Sequence, residues 1–283
     1  MFNETQHVDI WHSRRASANH TGGQCSDVDR LSQSARRPDY RCPMTSGPAS
    51  DTPIIWTELA RGVHTCTVPG AVPTTATLVV GTEAAALIDP GRNATDAATV
   101  RNAVREVTDA PLTHVVVTGA AHAGSLAAFE DLTTLGQWSL TEDTQDRPAP
   151  NRPFAGAASV SLGDLWLEVV QVGGRCESDA VVAIPAAHLV VVGDLVDSRD
   201  DALEGLTAAD VAEGWPDGVH TMLGLLRPAR GQQPADRVIC SRGPVTDAAG
   251  VTRFGMAIDE LSHADDPAPT DPGGRPQLPI SIE

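Results

Sequence analysis

The sequence predicts an α/β fold in which two mixed sheets pack face to face with helices outside them. Three observations predict it. Helical and strand patterns alternate over most of the chain. Two regions instead run strand after strand with only short turns between. Finally, a buried strand, Val115 to Val117, leads through a turn of Gly and Ala into a short helix within Thr113-His-Val-Val-Val-Thr-Gly-Ala-Ala-His-Ala-Gly-Ser-Leu-Ala-Ala-Phe129. α/β proteins keep their chemistry at such strand-to-helix turns, just past the carboxyl end of the strand. Between Thr118 and Phe129, only His122 and Ser125 have side chains that bind or transfer anything.

Residues 1–50 mix Ser, Arg, Asp, His and Gly without periodicity, the pattern of a disordered extension. Met44 opens a more ordinary start than Met1, and intact mass of the native protein distinguishes the two. The folded body is expected over 54–263, with a first strand from Val63 to Val68. Thr77 to Val80 and Ala84 to Asp89 read as a hairpin, closed by the turn Asp89-Pro-Gly91. Asn93 or Thr95 caps a helix running to about Val107, with Val100, Val104 and Val107 at helical spacing. After the strand and turn already described, Gly136 to Leu140 reads as a strand and Thr141 to Pro153 as a loop. Ala157 to Leu162 and Leu165 to Val172 are strands meeting at Gly163-Asp164. Ala180 to Ile184 and His188 to Val192 follow as strands, and Asp194 comes directly after the second. A helix is expected over Ala208 to Arg227 despite Pro216, then a strand over Arg237 to Cys240 and a helix over Asp247 to His263. Residues 264–283 read as a flexible Pro- and Asp-rich tail.

A net charge of −17 excludes nucleic acid and anionic membranes as partners, because both repel it. All twenty basic residues are Arg, which reads as genomic composition of a high-GC bacterium and not as a functional choice. No run has the length of a membrane span, and the N-terminus lacks the apolar core of a signal peptide, so a cytoplasmic location is expected. The five cysteines (Cys25, Cys42, Cys66, Cys176 and Cys240) have neither disulfide-framework nor zinc-motif spacing.

From about Trp56 to Leu261 the sequence resembles the metallo-β-lactamase superfamily. Leu78-Val-Val-Gly81 and Ala86-Leu-Ile-Asp89 look like the family's opening hairpin. Leu189-Val-Val-Val-Gly-Asp-Leu-Val196 is similar to its "LFxGDLV" block, the most specific match. Asp179-Ala-Val-Val-Ala-Ile-Pro185, Arg242-Gly-Pro-Val-Thr-Asp247 and Trp215-Pro216 also fit. The resemblance implies a four-layer αβ/βα sandwich, α/β (α+β) in class, with a one- or two-metal hydrolytic site along the edge between its sheets.

The family's metal ligands are largely replaced. Its first metal-binding turn, H-x-H-x-D-H, falls on Gly119, Ala120, Ala121 and His122, so that only the last His has a counterpart. The next ligand His aligns with Arg175 and the final one with Arg242, while Asp194 keeps the bridging carboxylate. Guanidiniums donate hydrogen bonds only and stay cationic, so they repel a divalent ion. The resemblance therefore implies a degenerate, metal-free member with no cofactor. In this reading Arg175, Arg242, Asp194 and His122 line a pocket for a small anionic molecule, and one of the two guanidiniums forms a two-point pair with Asp194. The alternative is a hydrolase of an ester, lactone, thioester or β-lactam that uses a single or atypical zinc or iron on His122 and Asp194. A lone His is more often structural than catalytic, and Cys176 and Cys240 are more often structural thiols than ligands. Asp89 is expected to tie a turn near the site, and Ser125 lacks a nucleophile's sequence context. His64, His114, His188, His220 and His263 are expected to be surface or packing residues.

Overall fold

A computed structural model describes residues 52–142, 147–226 and 235–264. The extension expected over 1–50 and the tail expected beyond 264 lie outside the described residues. Seven strands form the first sheet in chain order: β1 (Thr57–Ala60), β2 (Val63–Val68), β3 (Thr74–Val80), β4 (Ala85–Ile88), β5 (Leu112–Val116), β6 (Thr133–Gln137) and β7 (Arg152–Phe154). It is antiparallel from β1 to β4 and parallel from β4 to β7. The second sheet has β8 (Ala157–Ser161), β9 (Trp166–Gln171), β10 (Ala180–Ile184), β11 (Leu189–Asp197) and β12 (Arg237–Arg242), in the order β12-β11-β10-β9-β8. Its first four strands in sequence form an antiparallel meander, and β12 joins β11 in parallel.

The period-2 alternation of the strands divides their side chains between two apolar layers. On β4, Ala86 and Ile88 face the second sheet, where they pack with Leu167, Val182, Ile184 and Val191. Ala85 and Leu87 face outward against Val100 and Val104. The outer layer on this side is helix α1 (Ala94–Ala103) with the 3₁₀ segment Ala120–Ala128, which supplies Leu126. On the second sheet, Val181, Val190 and Val192 pack outward on α2 (Trp215–Leu226) and α3 (Ala248–Ser262). The result is four layers, αβ/βα. Fully burying each such Val, Leu or Ile contributes about 1.5–3 kcal/mol.

Local chemistry sets the ends of the helices. Asn93 caps α1, accepting from the backbone N–H of Thr95 at 2.9 Å and of Asp96 at 3.0 Å. Asp247 caps α3 through the N–H of Gly250 at 2.8 Å. Several expectations shift. The helix expected from Ala208 begins only at Trp215, with a 3₁₀ turn at Ala208–Asp210 before it. Pro216 then stands in the first turn, where its missing N–H has no partner to lose. The strand expected over Gly136 to Leu140 is β6, which ends at Gln137 before the 3₁₀ turn Trp138–Thr141. The strand placed at His188 to Val192 runs on to Asp197, so Asp194 lies within β11 and not after it. Among the described residues, no helix is long and apolar enough to cross a membrane.

Candidate functional site

Parallel pairing brings several strand ends to one place. β4 and β5 are parallel, so Asp89 and Thr118, each just beyond its strand, meet at one edge of the first sheet. β11 and β12 are parallel too, and pair Asp197 with Arg242. Residues 173–179, between β9 and β10, complete the site from the second sheet.

Asp89 is buried and has φ +50. Its carboxylate accepts from the Thr118 backbone N–H at 2.8 Å and from the Thr118 hydroxyl at 2.6 Å. Burial pushes its carboxyl up, opposed by the charge of His122 and the two Thr118 bonds. Gly193, at φ +57, lies against this pair, and a Cβ there would run into the Thr118 hydroxyl.

His122 is fully buried. Its Nδ1 is 3.0 Å from the Gly91 carbonyl oxygen, which only accepts, so Nδ1 carries a proton. Nε2 is 3.2 Å from the Ser241 hydroxyl. The same nitrogen is 3.9 Å from Asp89 Oδ2 and 3.8 Å from Asp194 Oδ2. The imidazole thus sits between two carboxylates with its ring direction fixed at both nitrogens.

Asp194 is the centre of a charged cluster. Both of its oxygens accept from Arg92 Nη2 at 3.0 Å. Arg242 Nε lies 3.9 Å from Asp194 Oδ1 and 3.3 Å from Asp197 Oδ2. Asp197 is also gripped by Arg199, with Nε and Nη2 at 2.9–3.2 Å. Arg199 Nη1 reaches Asp201 at 3.4 Å. Charges of alternating sign therefore run Arg92, Asp194, Arg242, Asp197, Arg199, Asp201. Burial alone would raise the Asp194 carboxyl, but the charges of His122, Arg92, Arg242 and Arg175 together hold it below the usual carboxylate range.

Arg175 Nη1 reaches the backbone oxygen of Asp194 at 3.5 Å, and its guanidinium lies over the Trp215 ring, 4.7 Å from the centroid. Trp215 is fixed in turn by a 2.8 Å bond from Nε1 to the Leu195 carbonyl. Gly174, at φ +145, allows the loop to lie close over Leu195 and Asp179. Asp179 is buried and accepts from the Cys176 N–H at 2.9 Å. Burial pushes its carboxyl up to about 6, against that bond and the charge of Arg175.

Two spaces open around this cluster. A cavity of about 20 Å³, room for about one water, is lined by Thr118, His122, Arg175, Asp179 and Asp194. Beside it a cleft of about 390 Å³ is lined by Arg175, Arg199, Arg242, Asp197, Asp201 and Glu204, with Trp215 and Leu206.

Among solved structures, the chain is similar to TMB-1, with a TM-score of 0.62 and 17% identity over 75% of this chain and 99% of that one. It is equally similar to the metallo-β-lactamase FIM-1 from Pseudomonas aeruginosa, solved in a mono-zinc form, with a TM-score of 0.62 and 20% identity over 75% and 97% of the two chains. A metallo-β-lactamase from Pontibacter korlensis matches with a TM-score of 0.60 and 20% identity over 73% and 99%. The fold is that of the metallo-β-lactamases. No protein-family model and no curated protein matches the sequence.

Within the metallo-β-lactamase fold, the residues singled out in the sequence do come together. His122, Arg175 and Asp194 line the small cavity, and Arg175 and Arg242 line the larger cleft. The expected pairing is corrected. Arg175 bonds the Asp194 backbone oxygen, and among the described residues Arg242 makes no hydrogen bond to the Asp194 carboxylate; Arg92 does, through a single nitrogen shared between both oxygens and not as a fork. Sequence reasoning missed Arg92 because it belongs to none of the ligand motifs. The available signal was its place, just past Asp89-Pro-Gly91 and just before the cap Asn93, on the loop that must end beside His122 once β4 and β5 pair in parallel. Ser125, for which no nucleophile role is expected, donates to the His122 carbonyl at 2.7 Å. Cys240 is a buried thiol pushed up to about 12 by burial, and Cys176 is half-buried at the small cavity. Among the described residues, no three His, Cys, Asp or Glu side chains are grouped to hold a metal ion.

Proposed function

We propose that this chain is a metal-independent binding protein, a catalytically impaired relative of metallo-hydrolases, whose arginine-lined cleft takes up a small anionic molecule. One observation carries the reading. The Asp194 carboxylate, the single acidic ligand that the family resemblance leaves in place, has both oxygens engaged by Arg92 at 3.0 Å. The donor set does not fit a divalent ion. An ion at Asp194 would displace Arg92 and then sit near Arg242 and Arg175, which remain charged at any working pH. His122 adds one ligand atom, Nε2, because Nδ1 is spent on Gly91. The net charge of −17 supports a small ligand over a polyanionic partner.

Elemental analysis after dialysis tests the proposal. The expected result is far less than one zinc or iron per chain, together with no hydrolysis of nitrocefin, lactones or thioesters above background. One tightly held ion per chain, or chelator-sensitive turnover that disappears in Asp194→Ala, supports instead a hydrolase using a single metal on His122 and Asp194.

A further inference from the structure

The charges around the 390 Å³ cleft are not equally committed. Asp197 is held by Arg199 on both oxygens, and Asp201 by the same guanidinium at 3.4 Å. Arg175 is stacked on Trp215 and bonded to the Asp194 backbone. Two groups differ. Among the described residues, the Arg242 guanidinium makes no hydrogen bond; it has only the loose ion pairs from Nε, which is itself buried without a hydrogen-bond partner. Glu204, on the cleft's opposite sign of charge, has no ion-pair partner among the described residues. One cation with unused donors and one unpaired carboxylate thus line the same space.

Such a cleft satisfies a ligand that carries both charges. A plain anion would meet Arg242 but leave Glu204 repelling it. A plain cation would do the reverse. We propose that the ligand is a small zwitterion, an amino acid or short peptide, with its carboxylate on Arg242 and its ammonium group on Glu204. This rests on the reading of the cleft as a binding site, and it puts a ligand with both charges in place of a plain anion. The volume is within the range of small-molecule sites, about 300–1,000 Å³. Charge-assisted hydrogen bonds at each end add recognition that neither half of the molecule achieves alone.

Calorimetric titration of the full chain with free α-amino acids and dipeptides, each beside its N-acetyl and its C-terminal amide derivative, tests the assignment. At least one free zwitterion is expected to bind about tenfold more tightly than both of its blocked forms. Glu204→Gln, an exposed change that leaves the Arg199 pairs intact, should erase the advantage over the N-acetyl form, by weakening the zwitterion and by relieving the repulsion that the N-acetyl form meets. Equal binding of zwitterion and N-acetyl derivative, or an unchanged ratio in Glu204→Gln, overturns the zwitterion assignment while leaving an anion-binding site standing. No binding by any of the probes overturns it as well. Stoichiometric metal by elemental analysis is the separate result that removes the binding-protein reading beneath it.

Discussion

Replacing Arg92 by Ala asks whether the Asp194 carboxylate depends on one tethered cation or on the whole arginine group. The Asp194 side chain is 11% exposed and that of Arg92 22%, so most of the pair is out of water. Removing one partner of a buried pair strands the other and costs about 3–5 kcal/mol. The two directions are unequal. Asp194→Ala leaves Arg92, Arg242, Arg175 and His122 around a missing anion, which places the loss near the top of that range, about 4–5 kcal/mol. Arg92→Ala leaves Arg242 Nε 3.9 Å from the carboxylate, close enough to turn onto it, so the loss belongs near the bottom, about 3 kcal/mol. The double mutant should lose less than the sum by about 1–2 kcal/mol. Urea unfolding at pH 7 measures all three, with unchanged m-values showing that the unfolded reference has not moved. Additive losses, with coupling under about 0.5 kcal/mol, would mean that the pair contributes nothing specific. A smaller loss for Asp194→Ala than for Arg92→Ala would refute the claim that several cations share one carboxylate.

Other expectations are as concrete. Burial raises Asp179 to about 6, so the folded state binds its proton first and Asp179 subtracts stability as pH climbs from about 4 to 6. Asp194 has the opposite sign: its depressed carboxyl adds stability above about 4, which is lost as pH falls. Asp179→Asn should flatten the slope between about pH 4 and 6 in urea midpoints, leaving the part due to Asp89, which burial also raises; an unchanged slope contradicts this. Gly193→Ala combines φ +57 with a collision against Thr118, and should cost about 3 kcal/mol or more, read as a lowered melting temperature or loss of soluble protein. Asn93→Ala removes the cap on α1 and should cost about 1 kcal/mol, with circular dichroism otherwise unchanged.

The layers were legible because alternation along strands such as β4 records which sheet face each side chain enters. The hairpin β3–β4, the meander β8–β11 and the cap Asn93 all follow from local rules. The start of α2 was not legible, because the apolar residues between Ala208 and Trp215 continue a helical pattern that the chain breaks with a 3₁₀ turn. At the site, the convergence of His122, Asp194, Arg175 and Arg242 came from resemblance, not from spacing. The Arg92–Asp194 pair spans 102 residues and depends on the loop after β4 meeting β11 across two sheets. The local window gives only its place between Asp89-Pro-Gly91 and the cap Asn93, which says where Arg92 ends up but not that Asp194 is its partner.

The alternating run from Arg92 to Asp201 also constrains how this protein can diverge. A substitution that neutralises an interior rung, from Asp194 to Arg199, leaves two neighbours of like sign facing each other, so no single interior step along it is silent. Two adjacent rungs can be deleted together with the alternation kept. Descendants of this chain should therefore vary at these positions in neighbouring pairs, and a homologue with Asp194 replaced should also have lost Arg92 or Arg242.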